Sequence, residues 1–245
     1  MINVAGRDDG EERARPGDGE LRERIHGRVH PARKLSAILV QFPDMTQDPP
    51  TVFVVDDDPN IRSAMRALFD SVGQPCQVFP SAAEFLDSDG VSRPGCLVLD
   101  IRMPGLGGLE LQQELIERGS DIPVIFITGH GDVPMAVEAM RKGAIDFIQK
   151  PFRDQDLLDR VGEALKTDRE RRAAQQQRST VADRSGQLTK REHEVFDLVV
   201  TGKPNKVIAY ELGVSQRTVE IHRARVMDKM QARSLADLVR MHLLL

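Results

Sequence analysis

The chain has 245 residues, 40% of them hydrophobic and 29% charged, and a formal net charge of -4; this supports a packed core and excludes a globally disordered chain. No apolar run is long enough to span a bilayer, and the stretch from Met1 to Glu12 is too charged for a secretory signal, so a cytoplasmic protein with no membrane partner is expected. The charge is uneven, with ten Lys/Arg against nineteen Asp/Glu in residues 51–165 and sixteen against ten in residues 166–245, which points to two domains with different partners, the basic one a candidate for nucleic acid.

Residues 1–50 are charged and Gly-rich up to about residue 24 and lack apolar periodicity, so a disordered extension is expected. Only LSAILVQF (35–42) is apolar, and Met45 offers an alternative translation start. From Thr51 a five-fold alternation of strands and helices begins. VFVV (52–55) reads as the first strand, followed by a helix from Pro59 with Ile61, Met65, Leu68, Phe69 and Val72 at helical spacing and Gly73 as a stop. CQVF (76–79) is the second strand; Ser81 caps the next helix, with Glu84 three residues on. CLVL (96–99), PVIFIT (123–128) and AIDFIQ (144–149) are the remaining strands, the last followed by a helix over 154–166. Such alternation predicts an α/β domain over residues 51–167, its parallel sheet covered on both faces. Residues 168–186 are polar and rich in Gln and Arg, which predicts a fraying helix and then a flexible linker. Residues 187–245 carry no strand signal and read as four helices. Cys76 and Cys96 sit in apolar contexts without metal-ligand spacing and are expected to be reduced core thiols.

Polar residues gather at the ends of the predicted strands. Asp56 and Asp57 close the first, Asp100 the third and Thr128 the fourth, and Lys150 follows the fifth. In a parallel sheet these ends share one edge, where open α/β sheets bind ligands. Three carboxylates brought together repel each other and call for a cation. Mg²⁺ fits, being hard, oxygen-seeking and suited to carboxylates plus phosphate oxygens. With a hydroxyl and an ammonium beside it, the site suits a transferred phosphoryl group. Asp100, on the middle strand, is the natural nucleophile for an aspartyl phosphate. For a single Asp, a solvated turn residue would be the better reading; five complementary groups at successive strand ends make that reading weak.

The pattern VVDDD, LDIRMPGLGG, ITGHGD, DFIQKPF resembles the receiver domains of two-component response regulators, over residues 51–166. The resemblance implies the flavodoxin-like strand order 2-1-3-4-5. It also implies that Asp100 accepts a phosphoryl group from a sensor histidine kinase. Asp57, Asp100 and the backbone carbonyl of Arg102 would ligate Mg²⁺, with Asp56 acting through water. Thr128 and Lys150 would bind the phosphoryl group, and Phe147 matches an aromatic position that turns inward on activation; otherwise it is an ordinary strand residue. The Lys150–Pro151 bond resembles one that is often cis, although base rates alone favour trans. Two other readings fail on spacing. The Gly105–Gly108 loop lacks the G-x-G-x-x-G pattern, with Glu110 at the last glycine position. A haloacid-dehalogenase-type phosphatase needs a second Asp where Arg102 stands, so acid catalysis on a leaving group is missing.

In the basic half, Thr189 and Glu192 form a capping box before a helix with Val195, Phe196, Leu198 and Val199 on one side. A short helix over 205–212 ends at Gly213, and Ser215 caps a third helix from Gln216 to Met230. Ala209, Gly213 and Val219 have helix-turn-helix spacing. Val219, Val226 and Met230 form a core stripe, while Arg217, Glu220, Ile221, Ala224 and Asp228 lie opposite, a mixed face suited to a DNA groove. Lys206, Arg217, Arg223, Arg225 and Lys229 are the cations available for phosphate; a merely solvated face is the alternative for this helix taken alone.

The string from LTKREHEV to ARVMDKM resembles LuxR/NarL-type DNA-binding domains, and TGHGDVPMAVEAM points to FixJ-type regulators. This implies a third helix in the major groove, with Thr218, Glu220 and Ile221 beside the cations, and promoter DNA and RNA polymerase as partners. Glu220 departs from the lysine of some relatives and can accept from cytosine. Phosphorylation is expected to dimerise the chain through Val133, Val137 and Arg141, with Leu238, Val239 and His242 completing the pairing near DNA. The expectation is thus a phosphorylation-controlled transcriptional regulator, an activator rather than an enzyme; a phosphorylation-independent DNA-binding scaffold is the other alternative.

Overall fold

The structure, a computed structural model, describes residues 49–129 and 133–245. The readings made on residues 1–48, including LSAILVQF and the start at Met45, lie outside the described residues, as do His130, Gly131 and Asp132. The described residues belong to one compact unit, 46–245.

Strands β1 (Thr51–Val55), β2 (Cys76–Phe79), β3 (Gly95–Asp100), β4 (Val124–Thr128) and β5 (Asp146–Gln149) form one parallel sheet in the order β2-β1-β3-β4-β5. Alternation of side chains explains why the strands read as unbroken apolar runs. Val52, Val54, Cys96, Val98, Ile125 and Ile127 face a core with α1 (Pro59–Ser71) and α5 (Asp154–Gly186). Phe53, Val55, Leu97, Leu99 and Phe126 face the opposite core, with α2 (Ala82–Leu86), α3 (Gly108–Glu117) and α4 (Val133–Arg141). Both faces are therefore buried and no strand can spare a polar row, so polar groups collect at strand ends. Val72, expected on the apolar stripe of α1, is instead 54% exposed. The helix ends at Ser71, and Gly73 at φ 69° turns the chain away before Val72 can reach the core. The Cys76 and Cys96 sulfurs are free thiols. Burial pushes the Cys76 thiol up to about 11 and that of Cys96 higher still, so both stay protonated.

Where a fraying helix and then a flexible linker were expected over 168–186, α5 continues unbroken from Asp154 to Gly186. A polar clasp explains its start. Asp168, only 4% exposed, accepts from the Gly95 amide at 2.9 Å and from Arg172 Nε at 2.9 Å. The Arg172 guanidinium also donates to the Ser92 and Arg93 carbonyls at 3.1 and 2.6 Å. Residues 173–179 are exposed all round, and their Ala, Gln and Arg hold the helix by propensity. Val181 and Ser185 are then buried again, Val181 within the core of the C-terminal helices.

Those helices are α6 (Lys190–Val200), α7 (Asn205–Leu212), α8 (Gln216–Met230) and α9 (Leu235–His242). Thr189 and Glu192 form the reciprocal capping box, and Gly213 at φ 65° makes the left-handed turn between α7 and α8. Ser215 Oγ accepts from the Thr218 amide at 3.0 Å and Ser234 Oγ from the Asp237 amide at 3.1 Å. Val195, Phe196, Val199, Ile208, Val219, Val226 and Met230 close this core.

Candidate functional site

The C-terminal edge of the sheet brings Asp56, Asp100, Thr128 and Lys150 to one place. Asp56 follows β1 and is 4% exposed; its Oδ1 caps the Asp58 amide at 2.9 Å. Asp100 ends β3, and its Oδ2 accepts from the Arg102 amide at 2.8 Å. Lys150 lies between them, its Nζ 2.9 Å from Asp56 Oδ2 and 3.1 Å from Asp100 Oδ1. Its backbone amide donates to the Thr128 carbonyl at 2.7 Å, which ties it to the end of β4, and Thr128 is buried. The Lys150–Pro151 bond is cis. Phe147 is half-buried against the core under α4.

Burial pushes the Asp100 carboxyl above its ordinary range and the Asp56 charge adds to this, despite the opposing hydrogen bond and charge of Lys150. For Lys150, burial acts to lower the ammonium value, but hydrogen bonds to both carboxylates outweigh it and hold the group charged. Lys150 bridges two of the three expected carboxylates, Asp56 and Asp100. Asp57 is exposed, and among the described residues no three acidic, histidine or cysteine side chains form a ready ligand set. The donors at the edge are all oxygens, and ionising Asp100 still carries a cost with Lys150 in place. A hard cation suits such a site.

On the C-terminal helices, Lys206, Arg217, Glu220, Arg225 and Ile221 are exposed, Ile221 by 46%, and Thr218 is half-buried at the start of α8. Two expected cations are engaged within the protein. Lys229 Nζ lies 2.6 Å from the buried Glu192 carboxylate and 3.1 Å from the Gln187 carbonyl, so it ties α8 to the start of α6. Arg223 Nη1 donates to Asn205 Oδ1 at 3.0 Å, joining α8 to α7. Leu238, expected at a dimer surface, is fully buried in the core of these helices. Val239 is half-buried, and His242 is exposed with its ring edge-on to Phe196 at 5.4 Å. Val133 and Val137 are 71% and 43% exposed, and Arg141 is exposed.

Residues 52–162 match the family model for the response regulator receiver domain, and residues 186–242 that for bacterial regulatory proteins of the luxR family. Nodulation protein W of Bradyrhizobium diazoefficiens is 52% identical over 190 residues, 78% of this chain and 84% of that protein. The transcriptional regulatory protein FixJ of Azorhizobium caulinodans is 48% identical over 193 residues, 79% and 92% of the two chains. The chain is a response regulator of the FixJ/NodW type. Among solved structures, the response regulator StyR is similar with a TM-score of 0.74 and 45% identity, covering 80% of this chain and 98% of that one. Full-length FixJ from B. japonicum is similar at 0.50 and 40%, covering 80% and 96%. This response regulator therefore joins a receiver to a LuxR-type helix-turn-helix and is a DNA-binding transcriptional regulator. No helix among its described residues is long and apolar enough to cross a membrane.

Three supports of the regulator's site escaped the sequence reading. Arg62 Nη1 donates to the Asp56 carbonyl at 2.7 Å and pins that end of β1 to α1. Gly108 lets α3 start against the Asp100 backbone, since a Cβ there would lie 2.4 Å from the Asp100 carbonyl oxygen. The GLGG run hinted at this close approach, whereas nothing local marked Arg62. Third, Glu192 is more than a cap. Its carboxyl is held down at about 2 by the Lys229 hydrogen bond first and the Thr189 amide second. A depressed folded value adds stability above the unfolded value of 4.5, which is lost as pH falls through the folded value. The C-terminal helices should therefore lose about 1–3 kcal/mol between pH 5 and 2 through this group. Urea midpoints followed on amide signals of α8 test this; a Glu192→Gln variant should show a flatter acid limb, and an unchanged limb would contradict the assignment.

Proposed function

We propose that Asp100 is the phosphoacceptor of this response regulator. The supporting observation is the Lys150 ammonium held between the Asp56 and Asp100 carboxylates at the C-terminal edge of the sheet. An Asp100 oxygen attacks the phosphohistidine of a sensor kinase; the P–O bond forms as the P–N bond breaks, and the imidazole keeps the electron pair. Lys150 then neutralises one phosphoryl oxygen, and the Thr128 hydroxyl meets another. Mg²⁺ would be held by Asp57, Asp100 and the Arg102 carbonyl, with Asp56 acting through water, and would supply charge neutralisation for the remaining oxygens. Thr128 drawn inward makes room for Phe147, which alters the surface of α4 and β5. Val133, Val137 and Arg141 form a homodimer contact there, and Val239 and His242 complete the pairing near DNA. Two helix-turn-helix domains held together gain effective concentration on a two-fold promoter site, and RNA polymerase is recruited. The regulator works in the cytoplasm and is not a turnover enzyme.

Acetyl phosphate with Mg²⁺ tests this reading: one stable phosphate per chain is expected, and light scattering at tens of micromolar should show a dimer. Repeated turnover would mark a hydrolase, and no incorporation would mark a scaffold independent of phosphorylation.

The DNA face is assigned to Lys206, Arg217, Thr218, Glu220, Ile221, Arg223 and Arg225, with α8 in the major groove. Lys206→Ala or Arg225→Ala should weaken binding to all sequences alike and reduce its salt dependence. Glu220→Ala should instead change base preference, by about 1–3 kcal/mol per lost base contact. Electrophoretic shifts on specific and random duplexes distinguish the two, and equal loss on both for Glu220→Ala would place that residue outside the groove.

A further inference from the structure

Arg217, Glu220, Ile221 and Ala224 are exposed on α8 and adjoin one another at helical spacing. They lie opposite Val219, Val226 and Met230, which are buried in the core of the C-terminal helices. The patch runs about 10 Å along the helix, or about three base-pair steps. It occupies the N-terminal part of α8, the part that a groove-reading helix presents to base edges. Asp228, exposed one turn further on, carries a charge that DNA phosphates repel, so the reading face ends at Ala224. Arg223 turns back to Asn205 Oδ1 at 3.0 Å and stands to the side, towards α7.

The chemistry of this patch says which bases it fits. Arg217 brings donors whose fork matches guanine O6 and N7. Glu220 brings acceptors for cytosine N4; Gln216 Nε2 donates to its Oε1 at 3.4 Å, which leaves Oε2 for a base. Ile221, 46% exposed, and Ala224 have no polar side-chain atom to offer. A lone exposed isoleucine is ordinary on a surface. Two adjoining apolar side chains in the middle and at the end of a base-reading patch ask for an apolar partner. In the major groove that partner is the thymine C5-methyl group. Ala224, with a single methyl, also lets the helix approach closely, so that Ile221 reaches a neighbouring pair. We propose that α8 reads a half-site in which G·C adjoins two T·A pairs, with the two thymine methyls covered by Ile221 and Ala224. This rests on the assignment of α8 to the major groove. Arg217 and Glu220 select G·C by hydrogen bonds, and the thymines are selected by excluding water from their methyls.

Selection of duplexes from a randomised pool by the full-length chain, with acetyl phosphate and Mg²⁺ present, supplies the site. Deoxyuridine then replaces each thymidine of the recovered duplex in turn, which removes a methyl and leaves every base-edge hydrogen bond in place. Two positions in each half-site should each lose about three- to five-fold in affinity. In Ile221→Ala the loss at one of these positions should shrink below about 1.5-fold, and in Ala224→Gly the loss at the other. Both side chains are exposed, so the variants keep the core of the C-terminal helices. Uracil tolerated at every position, or the same uracil penalty in both variants as in the parent, would overturn the methyl contacts and leave α8 as the groove helix. A pool that yields no common sequence would overturn that assignment and the proposal with it.

Discussion

Asp100→Asn yields a protein that gains no acid-labile phosphate from acetyl phosphate and Mg²⁺, while its unfolding midpoint stays within about 1 kcal/mol of the parent. The chemical loss is complete because an amide is no nucleophile for phosphorus at neutral pH. The small structural effect follows from the surroundings of this side chain. Asp100 Oδ1 accepts from Lys150 and Oδ2 from the Arg102 amide, so Asn can keep one of the two bonds. Lys150 retains its 2.9 Å contact with Asp56. Burial already disfavours the Asp100 charge, so neutralising that position removes a cost as well as a contact. Asp57→Asn behaves differently, losing metal affinity so that excess Mg²⁺ restores most of the labelling. Phosphate appearing on Asp100→Asn at the parental rate would mean that another carboxylate is the nucleophile.

The second large effect is on stability and lies far from the phosphoacceptor. Arg172→Ala leaves the Asp168 carboxylate, 4% exposed, with the Gly95 amide as its named remaining donor. It also strips a donor from the Ser92 and Arg93 carbonyls. Removing one partner of a buried pair costs about 3–5 kcal/mol; the Arg172 side chain is 34% exposed and partly screened, so about 2–3 kcal/mol is expected. The loss should show in the urea midpoint of the receiver, with faster amide exchange over residues 168–180, where the helix has little else to lean on. Asp168→Asn combined with Arg172→Ala should recover much of it, because the stranded charge is gone. A change below about 0.5 kcal/mol for Arg172→Ala would show that the clasp is ornamental to the fold.

Much of this regulator was legible in the order of its residues. Five apolar runs spaced by helical patterns determined an α/β domain with both sheet faces covered, because burial on two faces leaves no polar row. Parallel strands then place Asp56, Asp100, Thr128 and Lys150 on one edge. Thr189 with Glu192, Ser215 and Gly213 announced the boundaries of the C-terminal helices, since a cap is a bond within four residues. What only the tertiary structure decided is how the charges are distributed among partners. Lys150 reaches Asp56 across 94 positions, Asp168 reaches Gly95 across 73 and Lys229 reaches Glu192 across 37. A Lys or Asp in a polar stretch looks the same whether water or a distant carboxylate satisfies it. The Gln- and Arg-rich segment after residue 167 therefore read as a fraying helix giving way to a flexible linker and is one clasped helix. Lys229 read only as a phosphate contact, and its tie to Glu192 was invisible in the sequence. Leu238 read as a dimer residue and is core, because its side of α9 is buried in the core of the C-terminal helices instead of facing outward. Periodicity gives the face of a helix; which neighbour that face meets is settled only when the chain closes on itself.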